Sequence, residues 1–251
     1  MTNYPQDEYQ RGVVQPVECL KGGWNLVKDQ YWIFVGICAV GMIIGGAVPL
    51  GILMGPMMCG IFLSLFAKRR GQVVDFNLLF KGFDYFGQSV IAALLHVIPI
   101  MAVILCAYFF LYVGMFAAMF ATAAAGQDSA PFALIGFILL FLLFYCIILF
   151  IVIVISIGFT FAYPLIVERN LQGFEAVKLS FRAALANFWR LLGLNLLGGL
   201  LGVLGVCACY VGILFIFPIT LGAAAIAYEQ VFGLRHPSEM PSNLPPPPPA
   251  F

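Results

Sequence analysis

Four long stretches without a formal charge constrain this chain more than any other feature. They cover Gln30–Ala67, Tyr85–Gln127, Ser129–Val167 and Leu191–Tyr228, and each is about 38 to 43 residues long. One crossing of a bilayer needs about 20 apolar residues, so each stretch has room for one long helix or for a tight hairpin. Only 9% of the 251 residues are charged and 63% are apolar, whereas an average soluble protein has about a quarter charged and about half apolar residues. The sequence therefore predicts an all-α integral membrane protein.

Glycines and prolines indicate how many helices each stretch forms. The first stretch is interrupted between Gly45 and Pro56, and the last by glycines from Gly198 to Gly212. We predict a hairpin of two short helices in each of these two, because such residues break or kink helices. The two middle stretches are separated by the polar turn 125–131, and we predict one long helix in each, with a hairpin as the open alternative. The expected fold has about six transmembrane helices arranged as three hairpins.

The distribution of charge predicts the orientation in the membrane. In a six-span arrangement all 12 basic residues fall on one side, and the opposite loops carry only Asp128. Basic residues in short loops stay in the cytoplasm, so both termini are expected there. An arrangement of eight spans would bring the Asp128 loop inside without any positive charge, which makes it the less favourable alternative.

A segment near the N-terminus recurs 157 residues later in the chain. Glu18–Trp24, followed by Tyr31 and Trp32, matches Glu175–Phe181, followed by Phe188 and Trp189. In both copies apolar residues recur at intervals of three and four, which predicts one apolar stripe along a helix. The stripes, with a third one before the middle spans, consist of Val17, Leu20, Trp24, Val27 and Tyr31; of Phe76, Leu79, Phe83, Phe86 and Val90; and of Phe174, Val177, Phe181, Ala184 and Phe188. We therefore expect a parallel internal repeat with an amphipathic interfacial helix before each hairpin; a cytoplasmic extension of each transmembrane helix is the alternative.

These patterns divide the chain into a polar N-terminal segment (1–16), a transmembrane domain (17–236) and a Pro-rich, disordered cytoplasmic tail (237–251). The repeat-like segments are 17–67, 74–167 and 174–233. Aromatic residues anchor helices at the membrane interface, and basic residues there contact lipid headgroups. The predicted anchors are Trp24, Tyr31, Trp32, Phe181, Phe188 and Trp189. The predicted headgroup contacts are Lys21, Lys28, Lys68, Arg69, Arg70, Lys178, Arg182 and Arg190.

The C-terminal part of the chain carries the motifs Tyr163–Arg169, Glu175–Phe181, Asn187–Arg190 and Tyr228–Gly233. With these motifs the chain resembles the membrane-domain family that is fused to some bacterial glycerophosphoryl diester phosphodiesterases and that also has stand-alone, largely uncharacterised multi-span members. The resemblance implies a multi-span topology and a bacterial cytoplasmic (inner) membrane. In the fused members a separate soluble domain carries out catalysis, so the resemblance supplies no active-site residues.

Few side chains in the apolar stretches could carry chemistry. His96 lies well inside a predicted span, where an ionisable residue is a functional candidate, although a hydrogen bond to a neighbouring helix would explain it equally well. Cys207 and Cys209 are separated by one residue, not by the two that are common in metal-binding thiolate pairs. For Glu168 and Glu229, at the cytoplasmic ends of spans, we predict interfacial ion pairs. The sequence predicts no catalytic residue, no metal site and no cofactor, and hence no enzyme.

The leading functional prediction is a non-enzymatic membrane scaffold or accessory subunit of a membrane complex. Its expected partners are membrane lipids and another membrane protein or a second copy of the chain. The run Pro245–Pro249 could bind a polyproline-binding partner, and the net charge of +1 excludes nucleic acid as a main partner. The alternative is a transporter or flippase of an apolar or lipid-like solute. A membrane module for a lipid-headgroup hydrolase acting in trans rests on the family resemblance alone.

Overall fold

All regular secondary structure is helical in the part of the chain that the computed structural model describes. This part comprises residues 9–48, 51–207 and 211–234, with the backbone alone for residues 121, 122, 124–133 and 211, and it contains no β-strand. The α-helices are α1 (Pro16–Val27), α2 (Tyr31–Gly46), α3 (Met54–Arg69), α4 (Asn77–Phe80), α5 (Phe86–Phe159), α6 (Ala162–Arg169), α7 (Gly173–Ala186), α8 (Phe188–Cys207) and α9 (Val211–Phe232). Short 3₁₀ segments at Lys28–Gln30 and Lys81–Tyr85 follow α1 and α4. The tail 237–251, with Pro245–Pro249, lies outside the described residues.

Five helical segments of the described chain are long and apolar enough to cross a bilayer. They are Pro16–Ala47, Asn77–Phe120, Leu134–Arg169, Phe188–Cys207 and Gly212–Phe232. The predicted class, an all-α membrane protein, is confirmed at this level. The sequence predicted about six spans, and the additional one corresponds to α3. With 16 residues, α3 is only about 24 Å long, whereas the hydrocarbon core of a bilayer is about 30 Å thick.

Helix α3 lies inside the first of two compact units, which comprises the chain up to Leu94 and from Ile157 onward. All residues of α3 from Gly55 to Ala67 are buried except Met58. The helices α1, α2, α4, α6 and α9 pack around it. A helix that is apolar on every side is expected in an interior, and α3 fits this rule. The neighbouring helices therefore bury nearly all of α3 between Gly55 and Ala67.

Three helices of this unit, α1, α4 and α7, lie close to a neighbouring helix where a glycine leaves room. Helix α1 packs against α9 at Gly23, where a Cβ would overlap the α9 backbone. Helix α4 packs against α3 at Gly60, where a Cβ would overlap the carbonyl of Leu79. Helix α7 packs against α6, and the ring of Phe181 occupies the space beside Gly158. Thus α1 packs against α9, α4 against α3 and α7 against α6.

The second compact unit, Leu95–Ser156, consists of the middle part of α5. The rings of Phe110 and Phe144 lie 5.3 Å apart, although a straight helix would separate these positions by about 50 Å. The ring of Phe137 lies beside Gly114. The two halves of this unit therefore run side by side.

The helix boundaries keep the interval of 157 residues that the sequence contains. Helix α7 begins 157 residues after α1, and α8 begins 157 residues after α2. The duplication and the three-hairpin arrangement stay predictions.

Candidate functional site

A polar junction forms where the C-terminal ends of α3, α6 and α9 meet. Each end contributes an arginine or a glutamate, so that the three helices are linked in pairs by Arg69, Arg70, Arg169, Glu168 and Glu229. We call these five residues the polar junction. Cations near helix C-termini are favourable because they compensate the helix dipole.

The innermost pair of the polar junction is Arg70 with Glu168. One terminal nitrogen of Arg70 donates to both carboxylate oxygens of Glu168, at 2.7 and 2.6 Å. Only 9% of the Arg70 side chain and 1% of the Glu168 side chain are exposed. A carboxylate removed from water in this way depends on its cation, because an unpaired buried charge is strongly unfavourable. This pair therefore fixes α3 to α6.

Two further contacts complete the polar junction. Arg69 donates from Nε and from a terminal nitrogen to the two oxygens of Glu229, at 2.8 and 2.9 Å, and so links α3 to α9. The hydrogen bond to Glu229 raises the pKa of the Arg69 guanidinium. Arg169 donates to the carbonyl oxygen of Phe232 at 3.3 Å and lies over its ring at 5.0 Å, which links α6 to α9.

Aromatic rings fill the space between the same three helices. The ring of Tyr228 lies 5.6 Å from that of Phe66 on α3 and 5.1 Å from that of Phe232 on α9. The ring of Phe161, directly before α6, lies 5.6 Å from that of Phe232. Aromatic pairs at such distances are favourable beyond their buried area. The rings and the ion pairs together close the interface between α3, α6 and α9.

The ion pairs predicted for Glu168 and Glu229 are confirmed. Lys68, Arg69 and Arg70, which were predicted as headgroup contacts, each have an acidic partner within the protein. Their contact with headgroups stays a prediction. Lys68 lies 3.8 Å from Asp29, which is the loosest of the three pairs. The sequence could not reveal the partner of Arg70, since Glu168 follows it by 98 residues.

Asn187, between α7 and α8, joins the N-terminal segment to the helices. Its side-chain oxygen accepts from the backbone nitrogen of Val13 at 3.3 Å, and its amide nitrogen donates to the carbonyls of Gln10 and Ala183, both at 3.0 Å. Arg190 donates to the carbonyl of Val14 at 3.2 Å. Asn187 belongs to one of the motifs quoted above, but the sequence does not indicate that it is buried and holds the N-terminal segment against α7.

The predicted interface anchors differ in their surroundings. Trp24, Trp32 and Trp189 are exposed. Tyr31 is half-buried, and its hydroxyl donates to the carbonyl of Phe215 at 2.7 Å. Phe181 and Phe188 are half-buried as well. The remaining predicted headgroup contacts, Lys21, Lys28, Lys178, Arg182 and Arg190, are all exposed.

The predicted apolar stripes of α1 and α7 each contain both buried and exposed residues. In α1, Val17 and Trp24 are exposed but Val27 is fully buried. The face of α1 that packs against the protein consists of Cys19, Gly23 and Val27. The stripe of α7 is divided in the same way, since Val177 and Ala184 are buried whereas Phe174 is exposed. The reason is that small residues allow close helix packing, while larger apolar residues can face lipid.

The other candidates for chemistry are not brought together into a site. His96 is half-buried in the span Asn77–Phe120. Cys207 is exposed at the end of α8, and Cys209 lies outside the described residues. Among the described residues, no group of three His, Cys, Asp or Glu side chains is placed to hold a metal ion.

In the polar junction each glutamate already accepts hydrogen bonds from an arginine, so this arrangement is suited to holding helices together. No protein-family model matches the chain, and no curated protein or solved structure matches it.

Proposed function

We propose that the chain is a non-enzymatic integral membrane scaffold or accessory subunit of a membrane complex. The polar junction is the observation that carries this proposal, because it links α3, α6 and α9 in all three pairs. Moving α3 away from α6 at these ends would separate the buried pair Arg70–Glu168, which costs several kcal/mol. Helix ends held together in this way favour a structural role over one that requires the helices to move apart.

The second compact unit provides a surface for partners. Its two halves expose large apolar side chains along most of their length, including Phe109, Phe116, Leu139 and Leu142. Within a membrane such a surface contacts lipid chains or the helices of another protein. We propose that a partner membrane protein, or a second copy of this chain, packs here.

The proposed location is the cytoplasmic membrane of a bacterium, with both termini in the cytoplasm. The resemblance to the membrane domain of glycerophosphoryl diester phosphodiesterases and the one-sided distribution of the 12 basic residues support this proposal. Single cysteines introduced at Asp128 and at Arg11, in a cysteine-free background, should react with an impermeant label from opposite sides. Labelling of both from the same side would overturn the orientation.

A transporter or flippase of an apolar or lipid-like solute is the second candidate. Pro218 inside α9 favours it, because a proline within a helix leaves a backbone carbonyl without its usual partner and creates a point of bending. Purified protein in liposomes separates the two candidates. A scaffold leaves the movement of labelled lipid between leaflets at the rate of protein-free vesicles, and a clear acceleration would establish the transporter.

Extraction of the chain from its native membrane tests the scaffold proposal directly. After gentle solubilisation, native mass spectrometry should find the chain in a complex whose mass exceeds that of one copy. Serine substitutions at Phe116 and Leu142 should reduce this complex, whereas a substitution at the buried Phe62 that keeps the fold, Phe62→Leu, should leave it intact. Recovery of a lone monomer under these conditions would refute the proposal.

A further inference from the structure

Three helical segments of the first compact unit each present an outward line of residues with the same spacing. The lines are Val17, Lys21, Trp24, Lys28 and Trp32; Phe76, Phe80, Phe83, Gly87 and Ile91; and Phe174, Lys178, Phe181, Leu185 and Trp189. Each member is exposed except Phe181, which is half-exposed. Intervals of four, three, four and four residues keep positions on one side of a continuous helix. Here each line crosses a 3₁₀ segment or, at Asn187, a helix boundary, so its members share exposure as well as spacing. We call these the first, second and third outward faces.

The opposite sides of the same helices are occupied by protein. Helix α1 packs against α9 through Cys19, Gly23 and Val27, and α7 buries Val177 and Ala184. The outward faces are therefore largely open to the surroundings of the protein. Some members also touch protein at their edges, since the Trp32 ring lies 6.0 Å from that of Phe215 and the Phe181 ring lies beside Gly158. Trp32 is 74% exposed and Trp189 is 80% exposed, which is a large exposure for the largest apolar side chain.

The first and third outward faces share a chemistry that the second lacks. Lys21 and Lys178 lie at equivalent positions, each between apolar neighbours, and Trp32 and Trp189 occupy the equivalent last positions. The second face has Phe80 in place of the lysine. A lysine stem can lie along an apolar surface while its ammonium reaches lipid phosphate, and tryptophan prefers the membrane interface.

The two lysines are available for such a contact. Within the part of the chain that the structure describes, Lys68, Arg69 and Arg70 make the ion pairs, and Lys21 and Lys178 are not among their members. The acidic neighbours Glu18 and Glu175 lie in the first turns of α1 and α7, where the helix dipole favours negative charge.

We propose that the first and third outward faces are a matched pair of binding surfaces for anionic phospholipid. Lys21 and Lys178 contact the phosphate-bearing headgroups, and Trp32 and Trp189 anchor the two helices at the same depth of the interface. The second outward face inserts among lipid chains without headgroup preference. The inference deepens the proposed scaffold function by naming its lipid partner.

The tryptophans provide the assay, because all 3 in the chain belong to these two faces. The full-length protein is reconstituted into vesicles in which either phosphatidylglycerol or phosphatidylcholine carries brominated chains. Bromine quenches tryptophan fluorescence on contact, so the two series give the relative association of each lipid. An attraction of about 1 kcal/mol for each basic residue near an anionic surface predicts about fivefold stronger association of phosphatidylglycerol.

Charge removal then tests the named lysines. The double variant Lys21→Gln/Lys178→Gln should lower the ratio clearly, and adding Lys28→Gln, the other lysine of the first outward face, should bring it close to one. Lys81→Gln, a lysine outside the three outward faces, should leave the ratio unchanged. Raising the salt concentration to about 1 M should also lower the ratio in the wild-type protein, since screening weakens exposed charge interactions. A wild-type ratio of one, or a ratio that the double variant retains, would overturn the inference.

A variant that gains a lysine keeps the test independent of any loss of folding. In a background in which the native tryptophans are phenylalanine, Ile91→Trp reports on the second outward face and should show no preference between the lipids. Adding Phe80→Lys should create one. If Phe80→Lys creates no preference for phosphatidylglycerol, the inference that a lysine on an outward face selects anionic lipid is overturned. The scaffold proposal fails separately, on isolation of a lone monomer.

Discussion

Removal of the Arg70 guanidinium should destabilise the protein far more than removal of the neighbouring Arg69. In Arg70→Met the carboxylate of Glu168 stays enclosed, with 1% of its side chain exposed and without its cation. Breaking a buried pair in this way costs about 3–5 kcal/mol. In Arg69→Met the partner Glu229 keeps 27% of its side chain exposed and can be hydrated, so the loss should be about 1 kcal/mol or less.

Thermal unfolding in detergent measures the difference. For a chain of this length, about 1 kcal/mol corresponds to a shift of about 2–4 °C in the midpoint, so Arg70→Met should unfold about 6–20 °C earlier and Arg69→Met at most about 4 °C earlier. The double variant Arg70→Met/Glu168→Met should recover most of the loss, because apolar residues of similar volume can replace a buried ion pair. Equal shifts for Arg69→Met and Arg70→Met, or no recovery in the double variant, would refute this account of the polar junction.

Four further substitutions test other contacts. Gly23→Ala should lower the free energy of unfolding by about 1–3 kcal/mol, because the new methyl group overlaps the α9 backbone. Its control Gly199→Ala, where the methyl group meets open space, should be neutral or stabilise by about 0.5–1 kcal/mol. The midpoint of thermal unfolding measures both. Asn187→Ala should cost about 1–3 kcal/mol and should speed proteolysis of the N-terminal segment, since the hydrogen bonds to that segment are lost. Gly114→Leu should lower the midpoint by displacing the ring of Phe137, and an unchanged midpoint would contradict the contact between the two halves of the second unit.

The class of the protein could be predicted from the sequence because it depends on local composition. A charge-free stretch such as Leu191–Tyr228 is favourable only in a membrane or a large interior, whatever its partners are. The same reasoning predicted that Glu168 and Glu229 form ion pairs at the ends of helices. It could not predict which arginines they contact, because Arg70 and Glu168 come together only through the packing of α3 against α6.

The orientation of the helix faces could not be predicted for a related reason. Periodicity identifies a line of large apolar residues, and in a soluble protein such a line is buried. In a membrane protein lipid is as apolar as the interior, so the size of a residue matters more than its hydrophobicity. Helix α1 accordingly packs through Cys19 and Gly23 and leaves Trp24 outside.

The most direct test of the scaffold proposal is photo-cross-linking in the native membrane. A photoreactive amino acid at Phe116, on the exposed surface of the second unit, should give an adduct with one protein of defined mass, or with a second copy of the chain. The same group at Phe62, which is buried within the first unit, should give no such adduct. Adducts with lipid alone at Phe116 and at the exposed Leu142 would contradict the proposal that this surface packs against a protein partner.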